Sequence, residues 1–455
     1  MELLWLPKPD YNKPLICALD GALLKTDLQS ERLIFSAKSK IEQLMLSQID
    51  LQRLELERSD KSINDFEVPL NLQVYEFLVE QKSAGRCLIL DTSESVDTVN
   101  GILAEKNLFD KIVDLNTHSS ITTYDYIGSI KTPDSTWEHA AEKHMVGSQA
   151  EIPQGFTSQF KTPKPDIKTI FTAIRAYQWL KNLLVFVPII TSQQFTNTDA
   201  LISTIIMFCC FSAVASFGYI VNDLLDLQSD RVHKIKSHRP FASGQLSASQ
   251  GTLIGALLLM FAIAGCYFLP ANSAIALATY FLLTIIYSVY LKTKLMIDVV
   301  SLGGLFTLRV IGGAAAIETE LSFYLLSFSI FLFSSLGMVK RFSELHNLQA
   351  NNKLSARGRG YRVEDMAPVR IIGISLGYMS VFIMGLYINS PVITQYYSNP
   401  KIIWFLFPLI TYWLGRLWIL ANRGEVNEDP LIFALKDTTS VLVAALCAIT
   451  LILAN

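Results

Sequence analysis

The sequence predicts a membrane all-α bundle of about nine transmembrane helices preceded by a soluble α/β domain of Rossmannoid type. Three observations predict it. Although 51% of the 455 residues are hydrophobic and 17% are charged, the two kinds are segregated, with the charged, mixed-composition stretch first and long apolar runs from about 167 onward. Short apolar strand-like runs punctuate the first stretch, and a row of acids ends one of the membrane-length segments in the second.

The first part, 1–147, has the size and composition of an ordinary globular domain. Leu15 to Asp20, Cys87 to Thr92, Lys111 to Leu115 and Tyr124 to Gly128 read as parallel strands separated by helical stretches. A polar, proline-bearing linker, 148–166, follows. Met1 to Pro14 lacks the apolar run of a signal peptide, so this domain is expected on the cytoplasmic side. Four of the six cysteines (Cys17, Cys87, Cys209, Cys210, Cys266, Cys447) fall in apolar runs and none has metal-ligand spacing, which reads as reduced packing residues.

The second part, 167–455, holds runs long enough to cross a hydrocarbon core of about 30 Å. They lie near 167–190, 200–222, 251–269, 271–290, 297–316, 321–339, 369–388, 402–421 and 438–454. The first is interrupted by Arg175, Lys181 and Asn182. With the first span entering from the cytoplasm, Lys and Arg collect in the cytoplasmic loops and only Lys401 falls on the other side, a positive-inside pattern.

The acid row, Asn222-Asp223-Leu224-Leu225-Asp226-Leu227-Gln228-Ser229-Asp230-Arg231, carries the chemistry. Asn222, Asp226 and Asp230 recur at i, i+4 and i+8 with Asp223 beside them, so their oxygens share one helix face. Hard oxygen ligands of this kind suit Mg²⁺, which commonly uses one or two carboxylates together with substrate phosphates. The basic loop from His233 to Pro240, with Arg231 and Arg239, would then surround a polyphosphate from the other side.

A second polar set comprises Tyr287, Lys292, Lys294, Asp298 and Arg309; on a helix, Asp298 and Arg309 share a face about 16 Å apart. An intramembrane Arg is a functional candidate, the alternative being an internal salt bridge to an acid of another helix. A third set follows the sixth span: Lys340, Arg341, Glu344 and the cluster from Arg357 to Arg362, mostly explained by the positive-inside bias. A polar segment from Arg423 to Asp429, then Lys436 and Asp437, precedes the last span.

From about 167 to 455 these motifs resemble the UbiA-type superfamily of membrane prenyltransferases. Within it they are similar to the decaprenyl-phosphate phosphoribosyltransferase branch, on the strength of Gln178-Trp179-Leu180-Lys181-Asn182, the Asn222 to Arg231 row, His238-Arg239-Pro240 through Gly244, and Arg423-Gly424-Glu425 through Asp429-Pro430. The aromatic prenyltransferases of that superfamily carry a second Asp-rich motif, whereas Tyr287 to Asp298 offers one Asp and two lysines. The resemblance therefore implies 5-phosphoribosyl 1-diphosphate (PRPP) as donor, held through Mg²⁺, and a membrane-borne polyprenyl phosphate as acceptor. It implies Asn222, Asp223, Asp226 and Asp230 as metal ligands, the three aspartates as catalytic acids, and a substrate-binding set of Lys181, Asn182, Arg231, Arg239, Tyr287, Lys292, Asp298, Arg309, Lys340, Arg341 and Arg423. The product would be a lipid-linked phosphopentose for envelope glycans, made at a bacterial plasma membrane.

The first domain resembles haloacid-dehalogenase (HAD)-type phosphatases, but the first-strand position of their nucleophilic Asp is Ala18, followed by Leu19 and Asp20. A methyl group cannot accept a phosphoryl group. Thr92 or Ser93 can serve as the second-strand hydroxyl, while the acids expected after Gly128 appear as Ser129 and Pro133. The expectation is a pseudophosphatase that docks a protein partner or covers the cytoplasmic mouth of the site; no nucleic acid is expected. Two other functions compete: transfer from a prenyl diphosphate to an aromatic acceptor, and a non-catalytic lipid-binding scaffold.

Overall fold

The computed structural model describes residues 13–45, 67–103, 108–115, 123–148, 154–162, 164–351, 360–390, 393, 397–426 and 429–454. The Arg357 and Arg359 part of the third basic set lies outside them. Two compact units result: Met1–Ile174 with Ile220–Ile254, and Arg175–Tyr219 with Gly255–Asn455.

The first unit is built on a six-stranded sheet in which every pairing is parallel. In chain order the strands are β1 (Leu15–Ala18), β2 (Leu88–Asp91), β3 (Lys111–Val113), β4 (Tyr124–Ser129), β5 (Ala140–Gly147) and β6 (Ser158–Lys161). Across the sheet the order is β3-β2-β1-β4-β5-β6. The central strands are near-continuous apolar runs because a parallel sheet is covered on both faces. Alternation then divides them: Leu15, Cys17, Leu88 and Leu90 pack in one buried cluster, and Ile16, Ile89, Tyr124 and Tyr126 in another with Trp137. Leu15 pairs with Leu88 on one side and Asp125 on the other, which makes β1 central.

The four strands read from the sequence are present. β5 and β6 are additional, and β6 extends the sheet into the segment expected to be a linker. β5 was hidden because Glu142 and Lys143 interrupt its apolar pattern. Helix α1 (Leu28–Met45) follows β1 and the turn that holds Asp20, whose Oδ1 accepts from the Leu28 amide at 3.4 Å.

Seven helices among the described residues are long and apolar enough to cross a membrane: Thr198–Leu225, Ala248–Cys266, Ala271–Val289, Ile297–Ala316, Phe323–Ala350, Val363–Ile388 and Pro400–Asn422. A bent pair, Pro430–Lys436 with Thr438–Leu453, makes an eighth if counted as one span. Nine spans were expected. The difference is the stretch 167–190, which is not one helix but three pieces: Ile167–Ala173, a 3₁₀ segment Ala176–Phe186 and Val187–Thr191. Arg175 breaks it with a left-handed φ of 50°, a conformation costly for a residue with a side chain.

The 3₁₀ segment is held against Ile297–Ala316, the most internal of the candidate spans at 67% buried. Gly313 allows this approach, since a Cβ there would fall 2.0 Å from the Val185 carbonyl oxygen. Small residues are how membrane helices bring backbones together. The bent pair turns by 84° at Asp437, whose carboxylate caps the last helix through the Ser440 amide (2.8 Å) and receives Arg416 at 2.6 and 3.0 Å.

Candidate active site

The acid row lies in the first unit, at the end of Thr198–Leu225 and through the short helix Leu227–Val232. Helical bonding persists across the join: Asp226 donates its amide to Asn222 and Asp230 donates to Asp226, both at 2.9 Å. The row does not act as one face. Asp223 and Asp230, both buried, converge on a single nitrogen, Arg239 Nη1, at 3.1 and 2.6 Å. Lys236 Nζ stands 3.7 Å from the other Asp230 oxygen. Asp226, half-buried, instead faces Lys38 Nζ at 3.3 Å.

Arg239 Nη1 occupies a gap between two carboxylates, and that gap is suited to positive charge. Among the described residues no three His, Cys, Asp or Glu side chains are gathered as a ready metal cage. Mg²⁺ does not need one, because it takes one or two carboxylates and completes its shell with waters and phosphate oxygens. The hard oxygens of Asp223 and Asp230, which already share one cationic partner, fit that use, and Asp226 offers a further carboxylate beside Lys38.

Arg231 was expected to bind phosphate. Its guanidinium is instead consumed within the unit: Nη1 and Nη2 meet Glu31 at 2.9 and 2.6 Å, Nη1 also reaches the Glu67 carbonyl at 2.6 Å, and Nε reaches the Ala242 carbonyl at 3.3 Å.

Among the described residues of the second unit, the residues named from the sequence fall mainly into three polar centres. Lys181, buried in the 3₁₀ segment, meets Asp429 Oδ2 at 2.6 Å, and Lys340 approaches the same oxygen at 3.6 Å. Burial pushes the Asp429 carboxyl up, but the two ammonium groups outweigh it and hold it down at about 2. Asp429 also caps its own short helix through the Leu431 amide, 3.2 Å away. Asp429 lies in a motif from which no role for it follows; its position directly before Pro430 at a helix start is the signal that marks it as a cap.

In the next centre Arg309 and Asn182, both expected to bind substrate, come together. Arg309 Nε donates to Asn182 Oδ1 at 2.7 Å, Nη1 to the Leu305 carbonyl at 2.6 Å and Nη2 to Tyr280 Oη at 2.8 Å, and Asn182 Nδ2 donates to Ser212 Oγ at 3.0 Å. The partners anticipated for an intramembrane Arg were a ligand or an acid. An amide, a carbonyl and a phenol take their place.

The last centre is Asp298, fully buried on the first turn of Ile297–Ala316. Arg341 Nε pairs with one carboxylate oxygen and Tyr361 Oη donates to the other at 2.8 Å, while Arg341 also meets Tyr287 Oη at 3.1 Å and Glu344. Asp298 and Arg309 thus belong to separate networks although they share a helix. Lys292 is half-buried, and Arg423 is exposed, 4.0 Å from Glu425.

A model described as the UbiA prenyltransferase family matches residues 184–436. The chain belongs to this family. A Sinorhizobium fredii protein named y4nM, described as uncharacterized, is 30% identical over 483 aligned residues, covering 100% of this chain and 93% of that protein. Decaprenyl-phosphate phosphoribosyltransferase of Mycobacterium tuberculosis is 31% identical over 183 residues, 39% of this chain and 60% of the enzyme. A solved UbiA homolog from Archaeoglobus fulgidus, described as bound to GPP and Mg²⁺, aligns with TM-score 0.49 at 16% identity over 63% of this chain and 99% of that one. The UbiA-type resemblance read from the sequence agrees with the family match, and the helical membrane architecture with a parallel α/β unit stands.

In the α/β unit, a cavity of about 490 Å³ is lined by Asp20, Arg32, Ser36, Ser93 and Glu94 among others. Ala18 ends β1 with its methyl group where the HAD resemblance would place a nucleophile, and Arg32 is paired with Glu94.

Proposed function

We propose that this chain transfers a 5-phosphoribosyl group from PRPP to a polyprenyl phosphate, releasing pyrophosphate. The observation that carries the choice of donor is Asp298. A prenyl diphosphate held by two acid motifs would need a second set of available carboxylates. The acid in that region is wholly buried and committed to Arg341 and Tyr361. One acid row remains, so the second carboxylate set that a donor held by two acid motifs would use is not offered by Asp298. The partial likeness to phosphoribosyltransferases supports the same reading.

In this mechanism an acceptor phosphate oxygen bonds to the anomeric carbon as the bond from that carbon to the pyrophosphate oxygen breaks. The electron pair leaves with pyrophosphate, and the acceptor, already ionised at neutral pH, has no proton to give up. Asp223, Asp226 and Asp230 would hold a Mg²⁺, which would neutralise the charge that develops on the leaving group, and Arg239 would hold donor phosphate oxygens beside it. Lys181, Lys340 and Asp429 form a cationic centre of net charge +1 that suits a phosphate monoester. Positioning and charge screening carry the rate, so no general base is required.

The α/β unit is read as non-catalytic in phosphoryl transfer because Ala18 has no nucleophile. The bundle is placed in a bacterial plasma membrane with this unit on the cytoplasmic side. The test is incubation of the purified protein with Mg²⁺, PRPP and a polyprenyl phosphate, with mass spectrometry for the lipid-linked phosphopentose and a coupled assay for pyrophosphate. Product formation is expected to fall about 10²–10³-fold with Asp226→Asn. Turnover of a prenyl diphosphate with an aromatic acceptor, and none of PRPP, would overturn the reading.

A further inference from the structure

Helix α1 belongs to the α/β sheet domain, yet it places two charged side chains against the acid row of the same compact unit. Glu31 and Lys38 are seven residues apart, two turns on one helix face. Glu31 is the fixed end. Its carboxylate grips Arg231 through two bonds and accepts from Thr26 Oγ1, and the Glu31 and Arg231 side chains are 2% and 5% exposed. A desolvated pair of this kind is strongly disfavoured from opening, since either partner alone would be a buried uncompensated charge.

Lys38 is the free end. Its ammonium donates to the Leu225 carbonyl at 2.8 Å and to Asp226 Oδ1 at 3.3 Å. The Lys38 and Asp226 side chains are each 28% exposed, so this pair is weak and exchangeable. An ammonium has three N–H donors, and the bond to the Leu225 carbonyl keeps Lys38 at the row when Asp226 turns to another cation.

We propose that Lys38 is a donor-binding residue, supplied by the α/β domain, that takes an oxygen of the Mg²⁺-bound diphosphate, with Glu31 as the residue that positions it through Arg231. This rests on the acid row holding a diphosphate, as above. It gives the α/β domain a task that needs no phosphatase chemistry: it adds a cation at Asp226, whereas Arg239 and Lys236 contact Asp223 and Asp230. It also explains why Arg231, a basic residue beside the row, is spent on an internal anchor.

The test is calorimetric titration of the full-length protein with pyrophosphate at saturating Mg²⁺, comparing wild type, Lys38→Met and Lys38→Arg, with melting temperature as the control for folding. Lys38→Met is expected to weaken pyrophosphate binding about tenfold, the size of one charge-assisted hydrogen bond of about 1.4 kcal/mol. Lys38→Arg should restore most of it. Glu31→Gln should weaken binding similarly in the wild-type background and add little in the Lys38→Met background, as a double-mutant cycle shows for residues acting through one another. Unchanged affinity in Lys38→Met would overturn the proposal. Tighter affinity would overturn it too, by making Lys38 a competitor of the metal, and a loss seen only with a prenyl monophosphate would reassign it to the acceptor. Because the titration involves no sugar transfer, pyrophosphate binding that depends on Lys38 would stand even if PRPP proved not to be the donor.

Discussion

The acid row and the Asp298 centre are both carboxylates paired with arginine, and they differ in how much water their partners see. Arg239 and Lys38 are 29% and 28% exposed, although the Asp223 and Asp230 carboxylates that Arg239 joins are 4% and 3% exposed, whereas Arg341 and Asp298 are 1% and 0% exposed. A partly hydrated pair contributes little to stability and can trade its cation for a ligand. A desolvated pair contributes through what happens when it is broken. The same residue types therefore make a binding platform in one place and a structural lock in the other.

Breaking the lock is expected to have the largest effect. Arg341→Met leaves Asp298 buried and uncompensated at a cost of about 3–5 kcal/mol, which would appear as a sharp fall in melting temperature and in recovery of folded protein from detergent. A stable, folded Arg341→Met protein that has merely lost turnover would erase the distinction between the two regions.

On the platform the pattern should reverse. Asp226→Asn should lower turnover by about 10²–10³-fold, the range for removing one preorganised electrostatic contact, with a melting temperature close to that of the wild type, because its side chain is 28% exposed. A large stability loss in this variant would make the row structural as well.

Burial can also be tested in the α/β unit with a titrating group. His144 is buried on β5, with Nδ1 2.7 Å from Ser158 Oγ. Burial pushes its imidazole down from an ordinary 6.5 to about 4; nearby Asp125 opposes this and Arg86 adds to it. Between those values the unfolded chain binds a proton that the folded one does not. Stability from this group is therefore full above about pH 7 and falls as the pH drops from 6.5 towards 4. His144→Gln should flatten the slope when melting is followed from pH 7 to pH 4.5; a slope that persists would assign it to other groups.

The smallest effect belongs to Arg423, which was grouped with the substrate-binding residues by resemblance and is 64% exposed beside Glu425. Arg423→Ala should shift stability by no more than about 0.5 kcal/mol. A measurable change in the affinity for PRPP, read by titration, would return it to the site.

Legibility followed the range of the interaction. β1 to β4 and most of the spans were readable because apolar runs report burial directly. The acid row was readable because helical periodicity is local. The stretch 167–190 was not, since hydropathy has no term for a left-handed Arg175 or for Lys181 finding Asp429 from 248 residues away. Arg231 and Arg309 looked like ligand-binding groups for the same reason: a basic residue beside a site is ambiguous until its partners, here Glu31, Asn182 and Tyr280, are known.

The sequence by itself determined a chain of two compositions, the helical spacing of the Asn222 to Asp230 row and the alanine at position 18, because periodicity, hydropathy and residue identity are properties of neighbours along the chain. Only the tertiary structure decided which charges were already spent. A guanidinium has a fixed number of donors and a desolvated charge must be paired, so availability depends on partners that folding brings from elsewhere: Glu31 to Arg231, Asp298 to Arg341, and Lys38 to Asp226.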